Sequence, residues 1–450
     1  MQVTETVSDG LKRKLKVVVA AGDIGSKFNE RLDDFKDRVQ LKGFRRGKVP
    51  AAHIKKIYGR SLMAEVLQAT MEESSRKALA DRQERPALQP TIDLPKDEAE
   101  IEKVLNGQAD LSFDMSFEVL PDIKLVDFST LKLERLTTEV GTEELDKALS
   151  DLADRNTTFE AEAGRNAGDG DRLTIDFVGK IDGEVFEGGK SEAVNLVIGQ
   201  GGFIPGFEDG LKGAKAGDQR AVKALFPAEY PVPTLAGKEA EFDVTVTEVA
   251  KSIKPAIDDA FAKTLGATDL GNLTEMVKGQ IGREYDQVSR SKMKRQLLDQ
   301  LEKAHDFVLP ASLVDGEFDG IWKQVTSGLE RNGKTFADEG KTEEGARDEF
   351  RKLAERRVRL GLVIGEIGEK NKISVSEEEM RRALIERARR YPGQERFVYE
   401  YFEKTPGAVD ELRAPIFEDK VVDFIVELAK PTDRAVSREE LLKPIEGDEA

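Results

Sequence analysis

Three stretches of the chain place residue types at spacings that could do chemistry. Gly43-Phe44-Arg45-Arg46-Gly47-Lys48-Val49-Pro50 is a glycine-punctuated tip with adjacent arginines beside a phenylalanine. It lies in a run from Arg38 to Arg60 that holds eight Lys/Arg (38, 42, 45, 46, 48, 55, 56, 60) and no acid, a positive island in a chain of net charge −17. Such a tip suits RNA phosphates together with an apolar partner groove; a solvated basic loop is the plainer alternative. The second stretch is Gly199-Gln200-Gly201-Gly202-Phe203-Ile204-Pro205-Gly206-Phe207-Glu208-Asp209-Gly210. As a dinucleotide fingerprint it fails, because Ile204 stands at the third glycine position and no strand–helix–strand unit surrounds it. The third, Gly328 to Thr335 (GLERNGKT), matches the phosphate-binding loop letter for letter. That loop needs a buried strand before it, whereas Phe318, Ile321, Trp322 and Val325 recur at helical spacing, and Glu330 would sit in the phosphate cradle. We read it as a helix–turn–helix.

Composition removes further chemistry. There is no cysteine, so no disulfide, thiolate nucleophile or thiolate zinc site, and only His53 and His305 are available as imidazoles. His305 reads as a helix-end residue. No cofactor or metal is called for. With 87 acids against 70 bases, bulk binding of DNA is excluded. The N-terminus is polar, and the longest apolar stretches, 17–21 and 421–429, fall far short of the roughly 20 residues a membrane helix needs. No membrane partner is expected, and the chain is placed in the cytosol.

The elements that must position these stretches fall into compositional regions. At roughly 100–200 residues per domain, 450 residues suggest about three. Charged residues at 35% and aromatics at 6% describe an elongated, surface-rich protein. Residues 1–116 read as α+β. Leu15–Val19 is a strand, Ser26 caps a helix carrying Phe28, Leu32, Phe35 and Val39, and a second helix runs from about Ser61 to Arg82. Leu111, Phe113, Met115, Phe117 and Val119 alternate as a half-buried strand. Residues 117–159 form a linker with a helix at 142–156, capped by Thr142, that packs with the helices after it. Residues 160–250 hold short strands and glycine turns, a small bent antiparallel sheet, with Ala250–Pro255 as a linker. Residues 251–432 are helical by pattern despite Gly279, Gly282, Gly361, Gly365 and Gly368, each costing about 1 kcal/mol against Ala. The end, 433–450, reads as a disordered acidic tail.

Gly43, Phe44, Arg45, Gly47 and Pro50 fill every fixed position of Gly-Phe-Arg-x-Gly-x-x-Pro, which resembles the ribosome-docking signature of the trigger factor family, ribosome-associated chaperones of bacteria. Ile54 and Tyr58-Gly59 are similar too. The resemblance implies that Gly43, Phe44, Arg45, Arg46, Gly47, Lys48 and Pro50 dock at the polypeptide exit of the large ribosomal subunit, on a tunnel-rim protein and rRNA. The 199–210 run, with Thr174–Gly179, Val185–Gly189 and Ala224–Tyr230, resembles the FKBP-type prolyl isomerases. Aligned on those motifs, Phe177, Phe186, Glu187, Phe203, Ile204, Phe207, Tyr230 and Phe242 are the catalytic set. Phe207 stands where those enzymes often have tryptophan and Glu187 where they often have aspartate; both are usual for the trigger-factor branch. Taken residue by residue, the same aromatics also suit the core of a small sheet. Val308-x-Pro310-x-x-Leu313-Val314-x-x-Glu317 and Asn371-x-Ile373-x-Val375-Ser376-x-Glu378-Glu379 resemble recurring segments of the family's helical C-terminal domain.

Prolyl isomerisation fits a chain poor in catalytic side chains. Rotation about an X–Pro amide breaks resonance against a barrier of about 18–20 kcal/mol. The twisted state is less polar than the planar amide, so a dry aromatic cup favours it differentially. The expectation is therefore a multidomain α+β chaperone: an α+β ribosome-binding domain, a small antiparallel-sheet FKBP-like domain and an all-helical C-terminal domain. Its partners would be the large ribosomal subunit, nascent and unfolded polypeptides, and a second copy of itself away from the ribosome. Two alternatives stay open: a free-standing prolyl isomerase whose flanks dimerise it, and an RNA-binding regulator using the Arg38–Arg60 island.

Overall fold

A computed structural model describes residues 1–39, 49–95 and 98–444. The chain divides into two compact units, Met1–Arg135 with Ser291–Asp433, and Leu136–Arg290 with the residues from Arg434 onward.

The first unit opens with a four-stranded antiparallel sheet in the order Gln2–Asp9, Lys12–Val19, Leu111–Glu118, Thr91–Asp93. Leu15 pairs with Met115, Val17 with Phe113 and Val19 with Leu111, so the alternating apolar residues of both strands share one face. Ile24, Phe28 and Leu32 of one helix and Ile54, Leu62, Val66 and Leu67 of the next cover that face. Both helices start earlier than expected. Ser26 is not a cap: the helix is Ala21–Arg38, and the Ala21 N–H donates to Asp110 Oδ1 at 2.8 Å. A tertiary carboxylate thus satisfies an N–H that a local cap would otherwise take. The second helix is Ala51–Arg82, with Pro50 at the N-cap rather than a start near Ser61. Its first residues bury only Ile54 and expose Lys55, Lys56 and Ile57, so no apolar period announces them.

The helical remainder of this unit closes around Ile123, Leu131 and Leu133, which pack with Leu297, Leu301, Val363, Ile367, Val421 and Ile425. The helix Glu343–Lys370 runs unbroken through Gly361, Gly365 and Gly368. A side chain at Gly368 would sit inside the Phe417 ring, so that glycine is required by packing. His305 follows a helix end and is buried. Its Nε2 accepts the Val126 N–H at 3.4 Å, which leaves Nδ1 to donate to the Leu301 carbonyl at 2.7 Å. Gly328 lies inside the helix Ala311–Arg331, so the phosphate-loop pattern is preceded by helix. Trp322 there is stacked on Phe318 and Phe336, with Arg347 4.2 Å from its ring centre.

In the second unit, Glu239–Ile253 is the central strand of an antiparallel sheet. It pairs with Arg172–Ile181, Gln219–Leu225 and Thr158–Ala161, and Arg172–Ile181 pairs onward with Glu184–Val197. Ala250–Ile253, expected as linker, pairs with Ala161–Thr158 and extends the sheet. The helix Thr142–Arg155 takes Gly141, not Thr142, as its N-cap. Its Leu149 and Ala153 pack with Phe261, Leu273, Val277 and Leu441. Leu441 also corrects the expected disordered tail. Arg438–Leu442 is helical, Ser437 Oγ caps it by accepting the Glu440 N–H at 3.2 Å, and Leu441 is fully buried. Residues 445–450 lie outside the described residues.

Candidate active site

Strand alternation aims the first two rings. Leu173, Ile175 and Phe177 point to one face of Arg172–Ile181, and Phe242, Val244 and Val246 to the same face of the central strand. Phe242 lies opposite Gly179, where a Cβ would come within 2.7 Å of Phe242 Cε1 and 2.8 Å of Phe186 Cε1. Glycine there lets both rings lie down on the strand. Gly206, at φ +89, turns the chain into the short helix Phe207–Leu211 and drops Phe207 into the sheet face with 1% exposure.

The rings then lock one another. Phe207 stands edge-on to Phe242 at 5.1 Å between centres and to Phe177 at 5.9 Å, while Phe203 stacks on it at 5.0 Å. Phe186 is edge-on to Phe242 at 6.2 Å. These are the favoured offset and T-shaped arrangements. Phe203 is held from below by Glu208, a buried carboxylate that accepts the N–H groups of Gly199 at 2.8 Å, Gly201 at 3.2 Å and Phe203 at 3.2 Å. At the other end of the sheet, Asp171 is buried against Arg165 at 2.9 Å and the Gly168 N–H at 2.9 Å. Burial pushes its carboxyl up, but Arg165 and the N–H groups of Gly168 and Ser252 outweigh that and hold it below the usual aspartate range.

The result is a cavity of about 570 Å³ lined mainly by aromatic and aliphatic side chains. All eight residues of the expected catalytic set, Phe177, Phe186, Glu187, Phe203, Ile204, Phe207, Tyr230 and Phe242, line it, with Glu187 exposed at the rim. Of the expected docking loop, Gly43, Phe44, Arg45, Arg46, Gly47 and Lys48 lie outside the described residues. Of its neighbours, Val49 is buried in the first unit's core and Pro50 is exposed.

Three family models match separate stretches of the chain. A family model described as bacterial trigger factor protein matches residues 1–152, and one described as its C-terminus matches residues 269–427. A model described as FKBP-type peptidyl-prolyl cis-trans isomerase matches residues 163–247. The trigger factor of Brucella anthropi is 51% identical over 98% of this chain and 92% of that protein. That of Parvibaculum lavamentivorans is 53% identical over 98% of this chain and 86% of its own length. The chain belongs to the trigger factor family. A solved trigger factor chaperone, described for promiscuous substrate recognition in folding and assembly, shares the fold at TM-score 0.55. It is 22% identical and covers 95% of this chain and 99% of its own.

As a trigger-factor-family member the protein is a ribosome-associated chaperone with a peptidyl-prolyl isomerase domain, binding ribosomes and nascent polypeptides. No helix among the described residues is long and apolar enough to cross a membrane. Within the trigger-factor cup, sequence reasoning missed Phe226, Val232 and Leu235, which also line the cavity. Phe226 is 4.7 Å from Tyr230 and 5.8 Å from Phe186, between ring centres. Its signal was its place in Ala224-Leu225-Phe226-Pro227, beside a residue already chosen.

Proposed function

We propose that the aromatic cup is the isomerase site and that Phe177, Phe186, Glu187, Phe203, Ile204, Phe207, Tyr230 and Phe242 carry it. The supporting observation is that all eight side chains, contributed by three strands, a short helix and two loops, converge on one apolar cavity. An X–Pro segment entering it loses water from its imide. The planar amide, the more polar state, loses more solvation than the twisted one, so the barrier falls without proton transfer. Leucine at Phe177 keeps the bulk of the wall but loses the edge contacts to Phe207, Phe242 and Phe203. In an X–Pro peptide assay the folded Phe177→Leu variant is expected to lose most of its rate; full rate would place the site elsewhere.

Docking is assigned to Gly43, Phe44, Arg45, Arg46, Gly47, Lys48 and Pro50, against a tunnel-exit protein and rRNA of the large subunit. The support is the basic run in an otherwise acidic chain of this family. Replacing Phe44, Arg45 and Arg46 with Ala removes an apolar tip and two cations; ribosome pelleting should be lost with unchanged circular dichroism and isomerase rate. Pelleting at the wild-type level would refute the assignment. The division of labour gives docking to residues 1–116, isomerisation to the sheet bounded by Thr158 and Ile253, and client holding to the helical residues after 256. A cytoplasmic location and a homodimer away from the ribosome complete the reading.

A further inference from the structure

The helices Ala21–Arg38 and Ala51–Arg82 treat their cations in two ways. Arg31 meets Glu65 at 2.7 Å and Lys27 meets Glu73 at 2.5 Å. Lys55, Lys56 and Arg60 are exposed and have no ion-pair partner among the described residues. In a chain with 87 acids, three neighbouring cations left without carboxylates form a local positive field. They line a groove of about 450 Å³ whose one lining carboxylate among the described residues is Glu102. Lys55 Nζ sits 5.6 Å from the centre of the Phe28 ring at its base.

The groove also contains two glycines that the fold does not require. Gly25 and Gly59 lie inside helices, where glycine is less stable than alanine. A Cβ at Gly25 would meet nothing within 4 Å, and one at Gly59 would meet only the Lys55 stem, at 3.4 and 4.0 Å. Neither has a positive φ. What both do is keep the groove open to close approach by another chain. Lys56 and Arg60 are four residues apart, about 6 Å along the helix axis, on one face. Spaced point charges over a shallow, hydrophilic groove suit a phosphate backbone better than an apolar peptide.

We propose that this groove seats the phosphodiester backbone of large-subunit RNA, as a second contact beside the 43–50 loop. The proposal rests on the ribosome-docking reading. The basic run that begins before the loop continues into the groove, which supports a single nucleic-acid-facing surface.

The test is salt-titrated ribosome pelleting of the full chain. If Lys55, Lys56 and Arg60 each meet a phosphate, changing all three to Ala lowers the slope of log affinity against log salt by about 2 to 3. Over a fourfold change in salt, three such contacts account for roughly 40-fold in affinity. Lys55→Arg with Lys56→Arg should keep the wild-type slope. Gly25→Leu fills the groove without changing charge and should weaken binding several-fold at a melting temperature no lower than that of the wild type. A photoreactive residue at Asn29, which is exposed and lines the groove, should cross-link to RNA on the ribosome. An unchanged slope in the triple-alanine variant, undiminished binding by folded Gly25→Leu, or cross-links to ribosomal protein alone would each overturn the proposal. These results would leave the loop assignment standing, because that assignment fails separately if Phe44, Arg45 and Arg46 prove dispensable.

Discussion

One methyl group at Gly179 would test the cup as an engine of isomerisation. The Cβ of Gly179→Ala would lie 2.7 Å from Phe242 Cε1 and 2.8 and 2.9 Å from Cε1 and Cζ of Phe186. Carbon atoms rest at about 3.5–4.0 Å, so both rings must retreat by roughly 1 Å. Phe242 is backed by Phe207 at 5.1 Å and Phe177 at 6.0 Å, and Phe186 by Phe226 at 5.8 Å, so the room left to them is the cavity they line. Overpacking of this kind costs about 1–3 kcal/mol. Replacing a strand glycine by alanine returns about 0.5–1 kcal/mol. The net loss, about 1 kcal/mol at mid-range, should lower the melting transition of the sheet region by roughly 4–8 °C. The displaced rings also narrow the cavity where the proline ring must enter. With X–Pro exchange measured below both transitions, kcat/KM should fall at least about tenfold, the equivalent of about 1.4 kcal/mol of transition-state stabilisation. A folded variant with wild-type kcat/KM would refute the claim that these rings form the catalytic wall. A wild-type melting temperature would refute the packing argument beneath it.

Three further outcomes follow from packing and charge. Gly368→Ala should destabilise the helical core by about 1–3 kcal/mol because its methyl enters the Phe417 ring, whereas Gly361→Ala, with nothing within 4 Å, should gain up to about 1 kcal/mol; denaturant midpoints that rank the two the other way would contradict the packing. Lys420 and the Ser376 N–H and hydroxyl hold the Glu379 carboxyl down at about 2, against an ordinary value of 4.5. With the folded value depressed, its contribution is present above 4.5 and is lost as pH falls towards 2; the urea midpoint of Glu379→Gln should therefore decline less steeply across that window than that of the wild type, and parallel curves would exclude the linkage. Asp171→Asn leaves Arg165 and the Gly168 N–H facing a neutral amide and should cost about 1–3 kcal/mol at pH 7, a difference that shrinks as pH falls below about 4 and the wild-type carboxyl protonates. A gap between the two proteins that stays the same as pH falls from 7 through the unfolding transition in acid would argue for a purely steric effect.

Much of this molecule is written locally. Alternation in Leu111–Phe117 and Leu173–Phe177, helical spacing around Phe28 and Trp322, and the aromatic motifs of the cup depend on a few neighbouring residues. Side-chain direction follows from backbone period alone. The order of the motifs already points to the family, and helical spacing ahead of Gly328 is enough to set aside the phosphate-loop pattern. Partner choice is a different kind of information. The start of the first long helix moved from Ser26 to Ala21 because Asp110, 89 residues away, meets its first N–H. Ala250–Ile253 became strand because Thr158–Ala161 lies beside it, and the supposed tail was held by Leu441 entering a core built from residues 136–285. Phe226 joined the cup for the same reason, by ring contacts across strands, and Glu208 came to brace it by gathering three N–H groups of a neighbouring loop. Local steric preference is fixed by adjacent residues and can be read in order along a chain. Burial and hydrogen-bond satisfaction are fixed by whichever distant group arrives, and only the folded arrangement decides which that is.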